Sequence, residues 1–204
     1  IDKAISFLCS NVYFLNCAEG VYVNHPYEVS SVSPSVIVDA CVFDTCTRGV
    51  WVYACNVIVS NNRMWKCGRG LYASGHKNKA LVKGNSVVNG TSDYAIAVSS
   101  GSDSDFVVVD NYIRGQSGYG IYVDDSYTGT ISNNSIESTV NHGIYLGSAY
   151  DFVKVSGNTI VNAGGSGIRT FIGTVYLEIT DNIISDCVGT GVYINTGDCF
   201  VSNN

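Results

Sequence analysis

Only two prolines occur in 204 residues, Pro26 and Pro34, and both fall in one stretch near the N-terminus. The rest of the chain is free of the residue that removes a ladder hydrogen bond, so strands can stack without interruption. Charge is sparse too: 14% of residues are charged against 46% hydrophobic, and the formal net charge is −6. Clustered Lys and Arg drive binding to a nucleic-acid backbone, so no nucleic-acid partner is expected and a neutral or mixed-charge ligand fits better. No apolar run approaches the roughly 18 to 20 residues that span a bilayer, and no basic-then-apolar signal segment opens the sequence. No membrane insertion is expected. One Met and three His provide no copper-type ligand set, and no calcium-binding nonapeptide repeat occurs. No cofactor and no metal is expected.

What is present points to an all-β chain. The 22 Gly and 14 Tyr, with abundant Val, Ile, Ser, Thr and Asn, are what strands and tight turns use. Three of the eight cysteines, Cys17, Cys46 and Cys67, each sit three residues before a glycine, Gly20, Gly49 and Gly70. They are expected to stack as buried free thiols. Disulfides of unassigned connectivity are the alternative, and the lack of CxxC or Cys/His spacing argues against zinc.

The sequence repeats. Asn111 leads to Gly120-Ile121-Tyr122-Val123, Asn134 to Gly143-Ile144-Tyr145-Leu146, Asn158 to Gly167-Ile168-Arg169-Thr170, and Asn182 to Gly191-Val192-Tyr193-Ile194, each Asn and Gly nine residues apart. Earlier copies run from Asn85, Asn62 and Asn11, with Cys41 in the Asn position before Gly49. The positions 11, 41, 62, 85, 111, 134, 158, 182 and 204 are spaced by 30, 21, 23, 26, 23, 24, 24 and 22 residues. Such near-regular spacing marks a solenoid whose corner loops absorb the variation.

Each repeat holds two short apolar alternations, one around Asn-x-Ile and one after Gly, with no 3.6-residue periodicity. Copies in successive coils then pair as parallel sheets, and Ile or Val at Gly+1, Gly+3 and Asn+2 fills the bore. Eight coils at about 4.8 Å make a rod roughly 40 Å long. The Asn column is expected to adopt the left-handed turn conformation and to bond its amides from coil to coil. The Gly column is expected to supply positive φ.

Asn-x-Ile followed nine residues later by Gly-Ile-x-Val resembles the repeat of pectate-lyase-like proteins over nearly the whole chain. The resemblance implies a right-handed, single-stranded parallel β-helix of about eight to nine coils. One domain over residues 1–204 is expected. The opening at Ile1 without Met, and the closing Val201-Ser202-Asn203-Asn204 that begins another coil, read as part of a longer chain. Members of that group include lyases, epimerases, copper-insertion accessory proteins and bacteriophage tailspikes, and most act on long polysaccharides lying along the rod.

Alternation puts the Gly+2 column outside: Tyr22, Trp51, Tyr72, Ala97, Tyr122, Tyr145, Arg169 and Tyr193. Six of eight are aromatic, a stripe that a glycan or a neighbouring subunit would cover. The candidate sugar-binding residues are Trp51, Tyr72, Tyr122, Tyr145, His142 and Arg169. A second outer column, at Gly−1, includes Glu19, Arg48, Arg69, Tyr94, Tyr119 and His142. Hydrolysis of a glycosidic bond needs two carboxyl groups, about 5 Å apart for retention or roughly 6.5 to 9.5 Å for inversion. The candidate catalytic residues are Asp124 and Asp125, with Glu137 in the following coil. Asp103 and Asp105 form a weaker acidic cluster.

The function expected is that of a phage-tailspike-like β-helix, homotrimeric at full length and located on a virion or outside the cell. It would bind, and as an endo-glycosidase hydrolyse, a bacterial surface polysaccharide. One alternative is a structural or adhesive rod without catalysis. Another is a secreted polysaccharide lyase or epimerase using Arg169 as base, ranked lower because no dense acidic cluster crosses three successive coils.

Overall fold

The computed structural model describes residues 6–24, 35–54, 56–75, 79–99, 105–171, 176–195 and 197–204. Pro26, Pro34 and Asp103 lie outside them. The chain winds as a right-handed parallel β-solenoid with three sheets, of nine, eight and eight strands, and every pairing is parallel between successive coils. There is no helix among the described residues. Numbering coils by their third-sheet strands, coil 1 holds Glu19–Asn24, coil 2 Arg48–Ala54 and coil 3 Arg69–Gly75. Coils 4 and 5 hold Tyr94–Ser99 and Tyr119–Asp124, and coils 6 to 8 hold Ile144–Leu146, Ile168–Thr170 and Val192–Tyr193.

Each coil therefore carries three strands where the sequence suggested two. The additional strand, for example Asn56–Ser60 or Asp105–Val109, ends two residues before the Asn-x-Ile strand. With only a two-residue corner between them, the two strands read as one apolar stretch. All three face the bore. Ile121 and Val123 (Gly+1 and Gly+3), Ile113 (Asn+2), and Phe106 and Val108 of the additional strand are fully buried. Burying each such side chain contributes roughly 1.5 to 3 kcal/mol. Volumes are matched between coils: Phe106 pairs with Gly129, where any side chain would overlap its ring. The Phe14 and Phe43 rings stack in the bore at 4.8 Å.

The Asn column forms a continuous amide ladder, buried from Asn62 through Asn85, Asn111, Asn134 and Asn158 to Asn182 and continued by the exposed Asn204. Left-handed backbone belongs to the preceding residue instead, as at Asn61, Asp110, Asn133 and Asp181, where φ is 54° to 58°. The first coil shifts accordingly. Tyr13 pairs with Val42 and Val42 with Arg63, so Val12 stands in the ladder column and Asn11 (φ 58°) in the left-handed one. Asn suits both columns, so its identity alone did not separate them.

The coil glycines are corrected likewise. Among the described glycines only Gly84, Gly115 and Gly157 have positive φ, and none of these belongs to the Gly20–Gly191 column. There glycine supplies space: a Cβ on Gly49 would sit 2.6 Å from the Gly70 carbonyl, and one on Gly167 2.8 Å from that of Gly191. Cys46 and Cys67 are buried free thiols in one column, with Cys17 half-buried below them. Their Sγ atoms donate to the Phe14 and Phe43 carbonyls of the preceding coil.

Candidate functional site

Register places Tyr22, Trp51, Tyr72, Ala97, Tyr122, Tyr145, Arg169 and Tyr193 opposite one another along the third sheet. Alternating side chains are inward and buried, so this column faces outward. The Trp51 indole stacks on Tyr72 at 4.3 Å between centroids. The Arg48 and Arg69 guanidinium groups lie 4.8 and 5.7 Å from the Trp51 ring. Each is also paired, Arg48 with Glu19 at 2.6 Å and Arg69 with Asp93 through two nitrogens at 2.9 and 3.2 Å. An open groove of about 420 Å³ runs beside them, lined by Thr47, Arg48, Gly68, Arg69, Thr91 and Ser92.

At coil 4 the column carries Ala97, only 1% exposed despite its outward register, so neighbouring side chains cover it. Tyr94, from the adjacent Gly−1 column, begins a second aromatic group, its ring within 19° of parallel to Tyr122 at 6.3 Å. Tyr122 and Tyr145 stack at 5.5 Å and 6°. Tyr119 packs against both at 5.4 and 5.1 Å, and His142 closes the cluster 5.8 Å from Tyr119 and from Tyr145. The two columns thus merge into one patch, and Tyr94 and Tyr119 join the residues singled out from sequence. Stacked and tilted aromatic packing of this kind is worth about 0.5 to 1.5 kcal/mol per pair beyond area.

The electrostatics of the patch keep it neutral. Burial raises the Tyr72, Tyr122 and Tyr145 hydroxyls, and pushes Tyr94 up to about 12 in spite of Arg69. These phenols are hydrogen-bond donors at physiological pH, not phenolate bases. Burial first, and the Arg169 charge second, hold the His142 imidazole below its ordinary range. The Ser166 N–H donates to His142 Nδ1 at 2.8 Å, which leaves the proton of the neutral ring on Nε2, 3.4 Å from Arg169 Nη1. Arg169 also lies 5.0 Å over the Tyr193 ring, and its buried Nε has no acceptor among the described residues.

Asp124 ends the Tyr122 strand and works as a corner acceptor. Its Oδ2 accepts from the Tyr122 hydroxyl at 3.0 Å, and its Oδ1 from the Ser148 and Asp125 N–H groups at 3.1 and 3.2 Å. Asp125 follows in a left-handed turn (φ 47°). Glu137 does not join them. It lies in Ser135–Thr139 of the second sheet, in register with Arg114 and ion-paired to it at 3.5 Å. Coil adjacency in sequence put Glu137 near Asp124, but the corner between sheets turns it onto another face. Asp105 and Asp151 are exposed on the first sheet. Among the described residues no group of three or more His, Cys, Asp or Glu is arranged to hold a metal.

The second sheet presents groups the sequence reading passed over: Tyr13, Arg63 and Trp65, all exposed. The same alternation that located the third-sheet stripe, applied at Asn+1 and Asn+3, points to Arg63 and Trp65.

Residues 75–204 match the family model described as "Right handed beta helix region". No curated protein matches the chain, and no solved structure does.

Proposed function

This chain belongs to the right-handed β-helix family, and we propose that its third sheet is a binding face for an extended glycan running along the solenoid axis. The observation that carries the reading is the pair of stacked aromatic groups on this one face, Trp51 with Tyr72, and Tyr94, Tyr119 and Tyr122 with Tyr145. Neutral, fixed phenols beside guanidinium groups suit sugar rings, whose C–H faces stack on aromatics while their hydroxyls take hydrogen bonds. The polymer proposed is a bacterial surface polysaccharide, met by a tailspike-like homotrimer on a virion or outside the cell.

Binding is the core of the proposal, and hydrolysis its extension through Asp124, the carboxylate that borders the cluster. Affinity for capsule and O-antigen oligosaccharides is measured for the wild type and for Trp51→Ala and Tyr145→Ala. Each variant is expected to weaken binding about tenfold or more, as loss of a buried aromatic anchor does. No binding by the wild type across the panel defeats the reading in favour of a structural rod. Reducing-sugar release that disappears in a folded Asp124→Asn variant adds hydrolysis, whereas binding without release restricts the protein to recognition.

A further inference from the structure

Over its first three coils the outer face of the second sheet alternates large and small side chains. Coil 1 presents Tyr13 and coil 3 presents Arg63 and Trp65, while coil 2 between them presents the shorter Val42 and Asp44. The result is a slot of about 420 Å³ with two aromatic walls. Its wall strands stand two coil spacings apart, roughly 10 Å. Tyr13 and Trp65 stand diagonally across the slot, Tyr13 in register with Val42 and Arg63, and Trp65 with Asp44. Tyr13 is 58% exposed and Trp65 46%, so both rings are open to solvent. The wall and floor are fixed in advance: the Tyr13 hydroxyl donates to Asp44 Oδ2 at 3.0 Å, and Thr45 Oγ1 donates to Asp44 Oδ1 at 2.8 Å. Arg63 has no carboxylate partner among the described residues.

We infer that this slot is a second binding site, which takes a single pyranose residue of a glycan between Tyr13 and Trp65 with its hydroxyls meeting Asp44 and Arg63. A pyranose offers apolar C–H faces to the two rings and a polar rim to the floor. A flat aromatic side chain from a protein partner would fit the walls but leave Asp44 and Arg63 desolvated against carbon. The site stands on a different sheet from the aromatic surface of the third sheet, and it does not depend on that surface binding anything.

The chain has two tryptophans, Trp51 on the third sheet and Trp65 on the second, so their indole N–H signals report the two faces separately. Protein labelled with nitrogen-15 is titrated to millimolar levels with cello-, malto-, chito- and mannuronate-hexaoses. At least one is expected to move the Trp65 signal saturably, with affinity reduced about tenfold in Tyr13→Ala and less in Tyr13→Phe, which keeps the ring. Circular dichroism checks that each variant is folded. A Trp65 signal indifferent to all four sugars overturns the proposal, whether or not Trp51 responds. So does a Trp65 shift that follows protein concentration alone, which marks contact between copies of the chain. A responsive Trp65 beside a silent Trp51 keeps this site and counts against the third-sheet reading.

Discussion

The side-chain amide of Asn111 donates to Oδ1 of Asn134, one coil further on, at 2.9 Å, and to the Val82 carbonyl at 3.1 Å. Its own Oδ1 accepts from the side-chain amide and backbone N–H of Asn85, at 3.0 and 2.9 Å. Each rung is thus tied to the rungs on either side and to backbone carbonyls. Asn111→Leu leaves the buried Asn85 backbone N–H without its acceptor, removes one acceptor of the Asn85 amide and takes one of two donors from Asn134 Oδ1, and is expected to cost about 3 kcal/mol. Urea unfolding measures it. Cys41→Asn is expected to lengthen the ladder and add about 1 kcal/mol, because Asn62 Oδ1 already accepts from the Cys41 backbone N–H at 2.9 Å.

Two glycines of one column are expected to respond oppositely to the same change. A Cβ on Gly49 meets the Gly70 carbonyl at 2.6 Å, so Gly49→Ala overpacks a rigid sheet and costs about 1 to 3 kcal/mol. On Gly191 the nearest atom is 3.9 Å away, and neither residue has positive φ. Gly191→Ala is therefore expected to be neutral or to stabilise by about 0.5 kcal/mol through the unfolded chain. Equal losses in thermal melts of the two variants would show that conformation, not space, selects glycine.

His142 is expected to make stability fall with acid. Its native pKa lies below the ordinary 6.5, so the unfolded chain takes up the proton first. The stabilisation is complete above about pH 6.5 and declines as pH falls through that value towards the native pKa. His142→Asn keeps an acceptor for the Ser166 N–H and removes the titration. Between about pH 7.5 and pH 5 the wild type should lose more of its melting temperature than the variant. Parallel slopes would remove His142 as the cause.

Burial pushes the Cys67 thiol up to about 11 and also raises Cys46. The thiolate is the reactive form, so neither should react with iodoacetamide in native buffer near neutral pH, and both should react in urea. Peptide mass mapping distinguishes the cases, and rapid native labelling of Cys67 would mean that the bore opens locally.

Asp124→Asn places an amide nitrogen where Oδ1 or Oδ2 now accepts. It is expected to cost about 1 kcal/mol, a fall of roughly 2 to 4 °C in melting temperature for a chain of this size. That loss, read by calorimetry, belongs to the corner and must be subtracted before any effect on glycan cleavage is assigned to the carboxylate.

The sequence by itself determined the architecture and one face of it. A coil that buries Ile or Val at Gly+1 and Gly+3 must turn Gly+2 outward, so Tyr122 and Tyr145 were legible as neighbours on a stripe from spacing alone. The same logic stacked Cys46 on Cys67 and set the Asn ladder. What alternation does not encode is the corner between strands, and there the tertiary structure decided. Two-residue corners hid the third strand of each coil and let Asn11 pass for a rung that belongs to Val12. Carbonyl crowding between coils, invisible in a single repeat, made the column glycines a matter of space. Between Asp124 and Glu137 the chain passes through the first-sheet strand Ser126–Ser132, and the corner after it sets Glu137 beside Arg114 on the second sheet, away from Asp124. At coil 4, Ala97 lies covered and Tyr94 stacks on Tyr122, joining two columns that sequence lists apart. Periodicity fixes which residues point out of a solenoid, and loop length and packing decide which of them meet.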